Sequence, residues 1–506
     1  MKFTARLTDL STPDPLIVMG RDDALKLGVD VTDRVKVTGG RSGIASVAIS
    51  DSDQINGSVF LPQRMMDRCG LSDGDTAEVE FCPLPESVRS IRKKIEGGVL
   101  NEQEIHSIVS DIQDGGLSDR EILSFVSAFN VNNANLEEIG YLTKAMASTG
   151  DTIDFGTGDL YDFHSLGGIP GNKITPIVVS IVASQGLIIP KLSSRAISSA
   201  CGTSDFVETF CRVELDAQEL KSAVASAGGV FACGNVDYAP VGRKIIRAER
   251  PMGIDPRPMM LASIMSKKVA LGTKNLLIDI PMGEGSKIED MSVAEEYARD
   301  LIGLGKELGM RVECVVTCAD QPIGTTVGPV LEARECIRTL EDGDGERSVA
   351  DKACGIAGML LEMGGFDDGE SLAREILRSG RAHSRFMEIV RAQGGGEVRS
   401  SDLVPGAFVK DIHAKRAGYV EYIDNPSIVA IAKGAGAPSD RGAGIELLHK
   451  KGDRVEKGEV LFRIYAENES KLERATDSAR SRRPMHVGDD RSHIVDSDMI
   501  IRKIVS

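Results

Sequence analysis

The sequence contains no apolar run long enough to cross a bilayer as a helix. Its opening residues, Met1 to Arg6, lack the long hydrophobic region of a signal peptide. Concentrated basic charge is also missing, because the net charge is −16 at pH 7, whereas a nucleic-acid-binding surface needs clustered lysine and arginine. We therefore expect a soluble, cytoplasmic protein that binds neither nucleic acid nor membranes.

The nine cysteines lack the regular spacing of a disulfide framework. The closest two, Cys314 and Cys318, lie in an apolar run from Val312 to Cys318 that is typical of a buried strand. Free Cys behaves as a small hydrophobe in such a setting. This placement favours reduced core thiols over metal ligands.

With 506 residues the chain is too long for one core, so three or four domains are expected. The first domain contains an internal repeat, since the pattern of residues 27–37 recurs in residues 69–79. Each copy predicts a short helix, a polar turn and an alternating strand. Two such halves can bury apolar side chains that neither half could bury alone. The repeat therefore predicts a small β-barrel over residues 1–84. The pattern resembles the double-psi barrels at the start of some archaeal proteins and ATPases.

Helix-start patterns follow the barrel. Asn101 precedes Glu104, Ser118 precedes Glu121, and Asn135 precedes a third apolar-periodic stretch. We predict a helical lobe over residues 85–153, to which residues 235–262 return.

A glycine-rich loop extends from Asp162 to Thr175, with Thr175 as the predicted N-cap of a helix and Pro176 as its first residue. A loop of this kind at a helix N-terminus collects unpaired N–H groups that can bind an anion. The alternative is a tight turn whose glycines serve backbone geometry alone. The loop matches neither the Walker pattern nor the dinucleotide fingerprint.

Two further polar clusters follow predicted strands: residues 193–205, rich in hydroxyls, and Pro281 to Lys287, after the predicted central strand Asn275 to Ile280. A solvated surface loop is the simpler explanation of each cluster alone. In a parallel α/β sheet, however, such loops reach the same carboxyl edge, where ligands bind. Asp255, before Pro256, fits an N-cap, and Ser263 and Lys267 would share one face of a helix.

The fold class expected is therefore multidomain α/β. An α/β lobe over residues 154–404 follows the barrel and the helical lobe, and residues 405–466 predict a sandwich-like α+β domain. The charged residues 467–506 predict a mostly disordered polar tail with a terminal strand from Met499 to Val505.

Taken together, these motifs resemble the thymidine/pyrimidine nucleoside phosphorylase family over residues 85–466. The segments that carry the resemblance are Asp162–Asn172, Ser194–Asp205, Ala262–Lys268, Gln321–Gly324 and Gly444–Phe462. Variants such as Pro170-Gly171-Asn172 resemble the archaeal branch that acts on nucleoside 5′-monophosphates. The resemblance implies phosphorolysis of AMP, with phosphate as a co-substrate, no cofactor and no metal. It also implies a homodimer or larger homo-oligomer.

The resemblance also implies the site. Asp255 would be the proton donor, and His164 the second catalytic residue. The implied contacts to nucleotide or phosphate are Ser165, Gly168, Ser194, Arg195, Ala196, Ile197, Ser198, Ser199, Thr203, Ser263, Lys267 and Lys287.

One position departs from the family, which has lysine where this chain has Phe163. Without the positive charge of this lysine, two possibilities remain for the phosphate site. Either Lys173, Lys191 or Arg195 replaces the lysine, or the protein is a weakened nucleotide-binding homologue. A nucleoside phosphorylase acting on thymidine or uridine remains a further alternative.

Overall fold

The computed structural model describes all residues except 13, 157, 197, 198, 235–237, 253, 255, 490–497 and 506. The chain forms two compact units. The first contains residues 1–151 and 238–267, and the second contains residues 152–237 and 268–506.

The N-terminal part of the first unit is a closed barrel. Its elements are β1 (Lys2–Thr8), β2 (Leu16–Gly20), α1 (Arg21–Leu27), β3 (Arg34–Thr38), β4 (Ser42–Ser50), β5 (Ser58–Pro62), α2 (Gln63–Cys69) and β6 (Thr76–Phe81). The strand order is β1-β5-β2-β4-β3-β6. Gly28 and Gly70, which occupy matching places in the sequence repeat, end α1 and α2 in the left-handed conformation. That conformation explains why glycine recurs in both copies.

Four helices follow: α3 (Ser87–Ile95), α4 (Glu102–Asp114), α5 (Asp119–Val131) and α6 (Leu136–Ser148). The predicted helix starts are confirmed, because Asn101, Ser118 and Asn135 each form a capping box with the glutamate three residues later. Arg34 of the barrel forms an ion pair with Glu121 of α5, at 3.1 Å, within the same unit.

The middle of the chain alternates strands and helices. Its elements are β7 (Tyr161–Ser165), α7 (Thr175–Ser184), β8 (Ile189–Ser193), α8 (Thr203–Val207), α9 (Ala217–Ala227), β9 (Gly229–Cys233), α10 (Val241–Glu249), α11 (Arg257–Ala270), β10 (Asn275–Met282), α12 (Met291–Glu307), β11 (Arg311–Cys318), β12 (Thr326–Val327), α13 (Pro329–Asp342), α14 (Arg347–Met363), α15 (Gly369–Arg378) and α16 (Arg381–Ala392). Residues 238–267, with α10 and most of α11, belong to the first unit. The predicted cap of α7 is displaced by one residue, since Ile174 is the N-cap and Thr175 is already helical. Proline is tolerated throughout the first turn, so Pro176 does not fix the boundary.

The C-terminal part contains β13 (Phe408–His413), β14 (Gly418–Ile423), α17 (Asn425–Ala435), β15 (Gly444–Leu447), β16 (Arg454–Val455), β17 (Val460–Ala466), α18 (Glu469–Arg482), β18 (Met485–Gly488) and β19 (Ile500–Ile504). Two sheets occur here, in the orders β12-β15-β17-β13 and β16-β14-β18.

The central sheet of the second unit has the order β19-β11-β10-β7. β7, β10 and β11 are parallel, and β19 pairs antiparallel with β11. The predicted central strand and the terminal strand are both confirmed. Because the three parallel strands share one direction, the loops that follow them emerge at the same sheet edge. α7 and α14 contribute an almost entirely apolar layer to the main core.

The predicted disordered tail is wrong for residues 469–488. α18 packs its small apolar residues Ala475 and Ala479 into the core of the C-terminal sheets, and Met485 of β18 joins them. Leu472, Ala475 and Ala479 follow the spacing of one helical face, a pattern that the high charge of the segment obscures.

None of the helices in the described part of the chain combines the length and apolar character of a membrane span. All nine cysteines are free thiols; Cys314 is buried in β11, and Cys318 at its end is partly exposed. Burial raises the pKa of Cys314 to about 12, so this thiol stays protonated and unreactive at neutral pH.

Candidate active site

The glycine-rich loop lies beside two other predicted site segments. Gly167 has a φ of +91°, in the left-handed region that favours glycine. A methyl group on Gly167 would lie 3.2 Å from Cβ of Lys287, and one on Gly168 would lie 3.7 Å from Cβ of Ser199. The loops after β7, β8 and β10 therefore meet. β7 and β10 are neighbours in the central sheet, as predicted, whereas β8 pairs with β9 in a separate two-stranded sheet.

The exposure of these residues fits a surface that a ligand can reach. Gly167, Gly168 and Lys287 are exposed, whereas His164 and Ser165 at the end of β7 are partly buried. Glycines at this position leave main-chain N–H groups open to close approach by an anion. These three loops can thus combine main-chain donors, hydroxyls and the Lys287 side chain around a phosphate.

The second loop, between β8 and α8, is closed by a carboxylate. Asp205 Oδ2 accepts hydrogen bonds from the main-chain N–H groups of Ala196 and Gly202, each at 2.8 Å. Ser194 remains exposed, and Thr203 begins α8. Ile197 and Ser198, two predicted contacts, lie outside the described residues. Asp205 therefore acts as a structural clamp between the main chain at Ala196 and the main chain at Gly202.

Arg195 is directed toward carboxylates of the protein itself. Its guanidinium donates to Glu208 at 2.9 and 2.8 Å and to Glu214 at 3.0 Å. The hydrogen bond with Glu208 is the main cause that raises the pKa of Arg195. The side chain therefore orders the loop around its own ion pairs.

The Lys173 side chain also binds a carboxylate of the protein itself. Its ammonium is fully buried and lies 2.7 Å from Glu335 Oε2 and 2.8 Å from the carbonyl oxygen of Ile323. Glu335 also accepts hydrogen bonds from Thr325 and Thr326. This cluster joins the glycine-rich loop to the loop that follows β11, and so it holds two edge loops in place.

Lys191 on β8 is buried under the strand that carries the first loop. Its ammonium donates to the carbonyl oxygen of Phe163 at 2.6 Å and lies 3.4 Å from Asp162 Oδ1. Lys268 contacts the other oxygen of Asp162 at 2.5 Å. Burial lowers the pKa of Lys191 to about 8. Two lysines thus share one buried aspartate.

The expectation that Phe163 leaves a gap in a phosphate site is wrong. Its side chain is 2% exposed and belongs to the main hydrophobic core. The ammonium of Lys191 lies over the ring, 4.8 Å from its centroid. Residue 163 therefore faces the protein interior, whereas Gly167 and Gly168 of the following loop are exposed. None of the three proposed replacement cations, Lys173, Lys191 and Arg195, lacks a carboxylate partner.

The structure also reveals a buried group that the sequence analysis missed. Ser165 Oγ donates to Asp279 Oδ2 at 2.7 Å, and Thr317 Oγ1 donates to the other carboxylate oxygen at 2.6 Å. Lys352 Nζ from α14 forms an ion pair with Asp279 Oδ2 at 2.8 Å, and both residues are fully buried. Asp279, a single charged residue within the apolar run of β10, is the signal that could have identified the carboxylate. α14 contains other charged residues besides Lys352, so its sequence does not single out this lysine.

The remaining predicted residues lie in the first unit or outside the described residues. Ser263 and Lys267 lie on α11, in the first unit, where Ser263 is partly buried and Lys267 is exposed. Asp255 lies outside the described residues. Their predicted roles stay predictions.

Family models match three consecutive parts of the chain. Residues 88–150 match the glycosyl transferase family helical bundle domain and residues 157–383 its a/b domain. Residues 419–485 match the pyrimidine nucleoside phosphorylase C-terminal domain. A solved structure of anthranilate phosphoribosyltransferase from Thermus thermophilus shares the fold, with a TM-score of 0.52 and 20% identity over 60% of this chain and 99% of that one.

These matches and the fold place the chain among the glycosyl transferases with a nucleoside phosphorylase C-terminal domain. It is 44% identical to the AMP phosphorylase of Pyrococcus furiosus over 96% of this chain and 98% of that protein. It is 43% identical to AMP phosphorylase 1 of Archaeoglobus fulgidus over 93% of this chain and 94% of that protein. The chain belongs to the AMP phosphorylase family.

Proposed function

We propose that this protein cleaves nucleoside 5′-monophosphates with phosphate, converting AMP and phosphate into adenine and ribose 1,5-bisphosphate. The observation that carries the proposal is the near-full-length identity, between 40% and 44%, to archaeal AMP phosphorylases. The closeness of Gly167 to Lys287 and of Gly168 to Ser199 supports it independently, because phosphorolysis needs an anion site.

The chemistry places two demands on the protein. A phosphate oxygen forms a bond to C1′ of the ribose while the bond from C1′ to the base nitrogen breaks. Positive charge develops on the ribose ring, so the attacking anion must be held close to C1′. The departing base takes the electron pair of the broken bond and requires a proton.

The edge loops meet the first demand. Gly168, Ser194, Ser199 and Lys287 are exposed or partly exposed, which supports their proposed contact with an anion, and His164 and Ser165 follow at the end of β7. The clamp at Asp205 holds the main chain at Ala196 and at Gly202. The further predicted contacts are Ala196, Ile197, Ser198 and Thr203. Arg195 contributes through the loop backbone, since its guanidinium is bound to Glu208.

The second demand falls to Asp255, which the family resemblance makes the proton donor to the base. Replacing Asp255 by Asn should lower kcat by about 10²–10⁴-fold, the usual contribution of general acid catalysis. AMP affinity should change little. Steady-state kinetics with a parallel AMP-binding titration checks both values, and an unchanged kcat would make Asp255 a helix cap only.

Phosphate dependence tests the reaction itself. The full chain is incubated with AMP in the presence and absence of phosphate, and adenine release and sugar bisphosphate formation are measured. Adenine should form only with phosphate, in equal amounts with ribose 1,5-bisphosphate. Equal release in phosphate-free buffer would identify a hydrolase and refute the proposal.

The same assay separates the alternatives. We infer that CMP and UMP are also substrates, whereas thymidine, uridine and adenosine, which lack the 5′-phosphate, are not. Preference for thymidine over AMP would instead favour a pyrimidine nucleoside phosphorylase. Phe163 no longer favours a weakened nucleotide-binding protein, because its side chain lies in the core.

We further infer a cytoplasmic homo-oligomer, at least a dimer, that uses phosphate as a co-substrate and no cofactor. The N-terminal barrel is proposed to be of the double-psi kind. Two parallel pairs, β1 with β5 and β2 with β4, support this, as does the repeat that ends α1 and α2 with matching glycines. Light scattering of the full chain measures the assembly, and a monomer would contradict it.

A further inference from the structure

The C-terminal domain, residues 408–488, packs against the loops that follow β8, β10 and β11. Ala200 of the hydroxyl-rich loop after β8 is 1% exposed and belongs to the hydrophobic cluster of this domain. Arg441 of the domain forms an ion pair with Glu208 at 3.1 Å, and Glu208 also binds Arg195 of the same loop. The second predicted anion-binding loop therefore has the C-terminal domain behind it.

The loop after β10, which carries Lys287, also contacts this domain. A methyl group on Gly285 would lie 3.3 Å from Cδ of Pro426, the second residue of α17. On its other side this loop contacts the loop after β11, since a methyl group on Gly283 would lie 2.6 Å from Oδ1 of Asp320. The loop of Lys287 is therefore packed between the C-terminal domain and the loop after β11.

Two lysines of the C-terminal domain bind the loop after β11. Lys450 Nζ donates to the carbonyl oxygen of Gly324 at 2.6 Å and also to that of Pro322. Lys451 Nζ lies 3.3 Å from the carboxylate of Asp320, the residue that contacts the loop after β10. The turn between β15 and β16, which contains both lysines, therefore binds three residues of the loop after β11.

We propose that Lys450 and Lys451 are positioning residues for phosphate binding: they hold the loop after β11, which in turn keeps the loop of Lys287 in place for the anion. Neither lysine needs to touch the substrate, because Asp320 contacts Gly283 directly. The inference rests on the proposed function, which places phosphate at the loops after β7, β8 and β10.

The physical reason is the precision that an anion site requires. Its donors must be held to within about 0.5 Å of the productive geometry. Loops have few backbone hydrogen bonds of their own and are among the least stable parts of a fold. Without the ammonium of Lys450, two carbonyl oxygens lose a donor, and the loop occupies a wider range of positions. Ordering the loop again upon phosphate binding then lowers the affinity for phosphate.

Lys450→Met tests the proposal, because methionine keeps an unbranched apolar side chain and removes the ammonium. Phosphate saturation at fixed AMP gives the KM for phosphate and the kcat at saturating phosphate. We expect the phosphate KM to rise about tenfold, the effect of losing roughly one hydrogen bond to a charged group. The kcat should stay within about twofold, since the loss concerns binding and not the chemical step. Lys450→Arg should recover most of the affinity, because a guanidinium can donate to both carbonyl oxygens.

Lys471→Met is the matched control. Lys471 belongs to the same domain, and its ammonium forms an ion pair with Asp440 at 2.5 Å. Both partners thus belong to the C-terminal domain itself. The control removes the same kind of charge from the same domain and should leave the phosphate KM unchanged.

Three outcomes would overturn the proposal. The first is a Lys450→Met variant with a lower midpoint of denaturant unfolding and an unchanged phosphate KM, because the lysine would then stabilise the fold only. The second is a fall in kcat at an unchanged phosphate KM. The third is a Lys450→Arg variant that binds phosphate as weakly as Lys450→Met. If Lys450→Met does not fold, Lys451→Met replaces it, and its phosphate KM should rise in the same direction.

Failure of the proposed function and failure of this inference are distinguishable. Titration calorimetry of the full chain measures phosphate binding without any reaction. Absence of phosphate-dependent adenine release from the unaltered protein refutes the proposed function. Equal phosphate affinities of the unaltered protein and Lys450→Met overturn the positioning role.

Discussion

Replacing Phe163 by Lys would restore the residue that the family has at this position, yet we expect it to damage the protein. The side chain is 2% exposed within the main core. Truncating a buried Phe costs about 3–5 kcal/mol, and the four methylene groups of a lysine recover only part of that loss. The new ammonium would also need a partner, and the carboxylate of Asp162 is already shared by Lys191 and Lys268.

The charge of Lys191 adds to the cost. Its ammonium lies 4.8 Å from the centroid of the Phe163 ring, so a second ammonium near that place would repel it. Two unit charges about 5 Å apart interact by about 3 kcal/mol at an effective dielectric constant of about 20. The favourable contact of Lys191 with the ring, about 0.5–2 kcal/mol, is lost at the same time. We expect Phe163→Lys to lower the free energy of unfolding by at least about 3 kcal/mol.

Denaturant unfolding of the full chain measures this loss, with Phe163→Leu as the matched control. The leucine variant keeps an apolar side chain and should lose less than half as much stability. Raising the pH from about 7 to about 9 should recover part of the loss in Phe163→Lys. Lys191, whose pKa is about 8, gives up its charge over that range, and the repulsion disappears with it.

Phosphate saturation at fixed AMP completes the experiment. Because residue 163 faces the interior, the lysine variant should not have a lower KM for phosphate than the unaltered protein. A variant of full stability with a lower phosphate KM would refute the reasoning. It would mean that the side chain of residue 163 reaches the anion after all.

Two further predictions concern buried charges. Lys352→Met should lower the free energy of unfolding by about 3–5 kcal/mol, because it leaves Asp279 without its ion-pair partner. The double variant Asp279→Asn/Lys352→Met should regain much of this in denaturant unfolding, and equal losses would contradict the ion-pair explanation. Burial raises the pKa of Glu332 from 4.5 to about 7, so the folded state loses up to about 3 kcal/mol as the pH rises through this interval and stays lower above it. Glu332→Gln should therefore melt at a higher temperature than the unaltered protein at about pH 8, with little difference near pH 4, and an unchanged pH profile would contradict this.

The sequence by itself determined the features that depend on neighbouring residues. The capping boxes at Asn101, Ser118 and Asn135 are set by contacts within one helical turn, so their spacing in the sequence suffices to predict them. The alternation of strands and helices likewise predicted a parallel sheet. Parallel strands deliver their following loops to one edge, which is why the approach of the loops after β7 and β10 was predictable. The loop after β8 joins them from a separate two-stranded sheet, which the sequence did not indicate.

Only the tertiary structure decided the direction of Phe163 and the partner of Ser165. β7 alternates apolar and polar residues from Tyr161 to His164, yet Tyr161, Asp162 and Phe163 are all buried, so the alternation does not indicate which side of the strand meets solvent. Ser165 and Asp279 are separated by 114 residues, and no local periodicity specifies a contact over that distance. Lys352 reaches Asp279 only because α14 packs on the central sheet. The hydroxyl of Ser165 is thus bonded to a group that the fold, and not the adjacent sequence, brings near it.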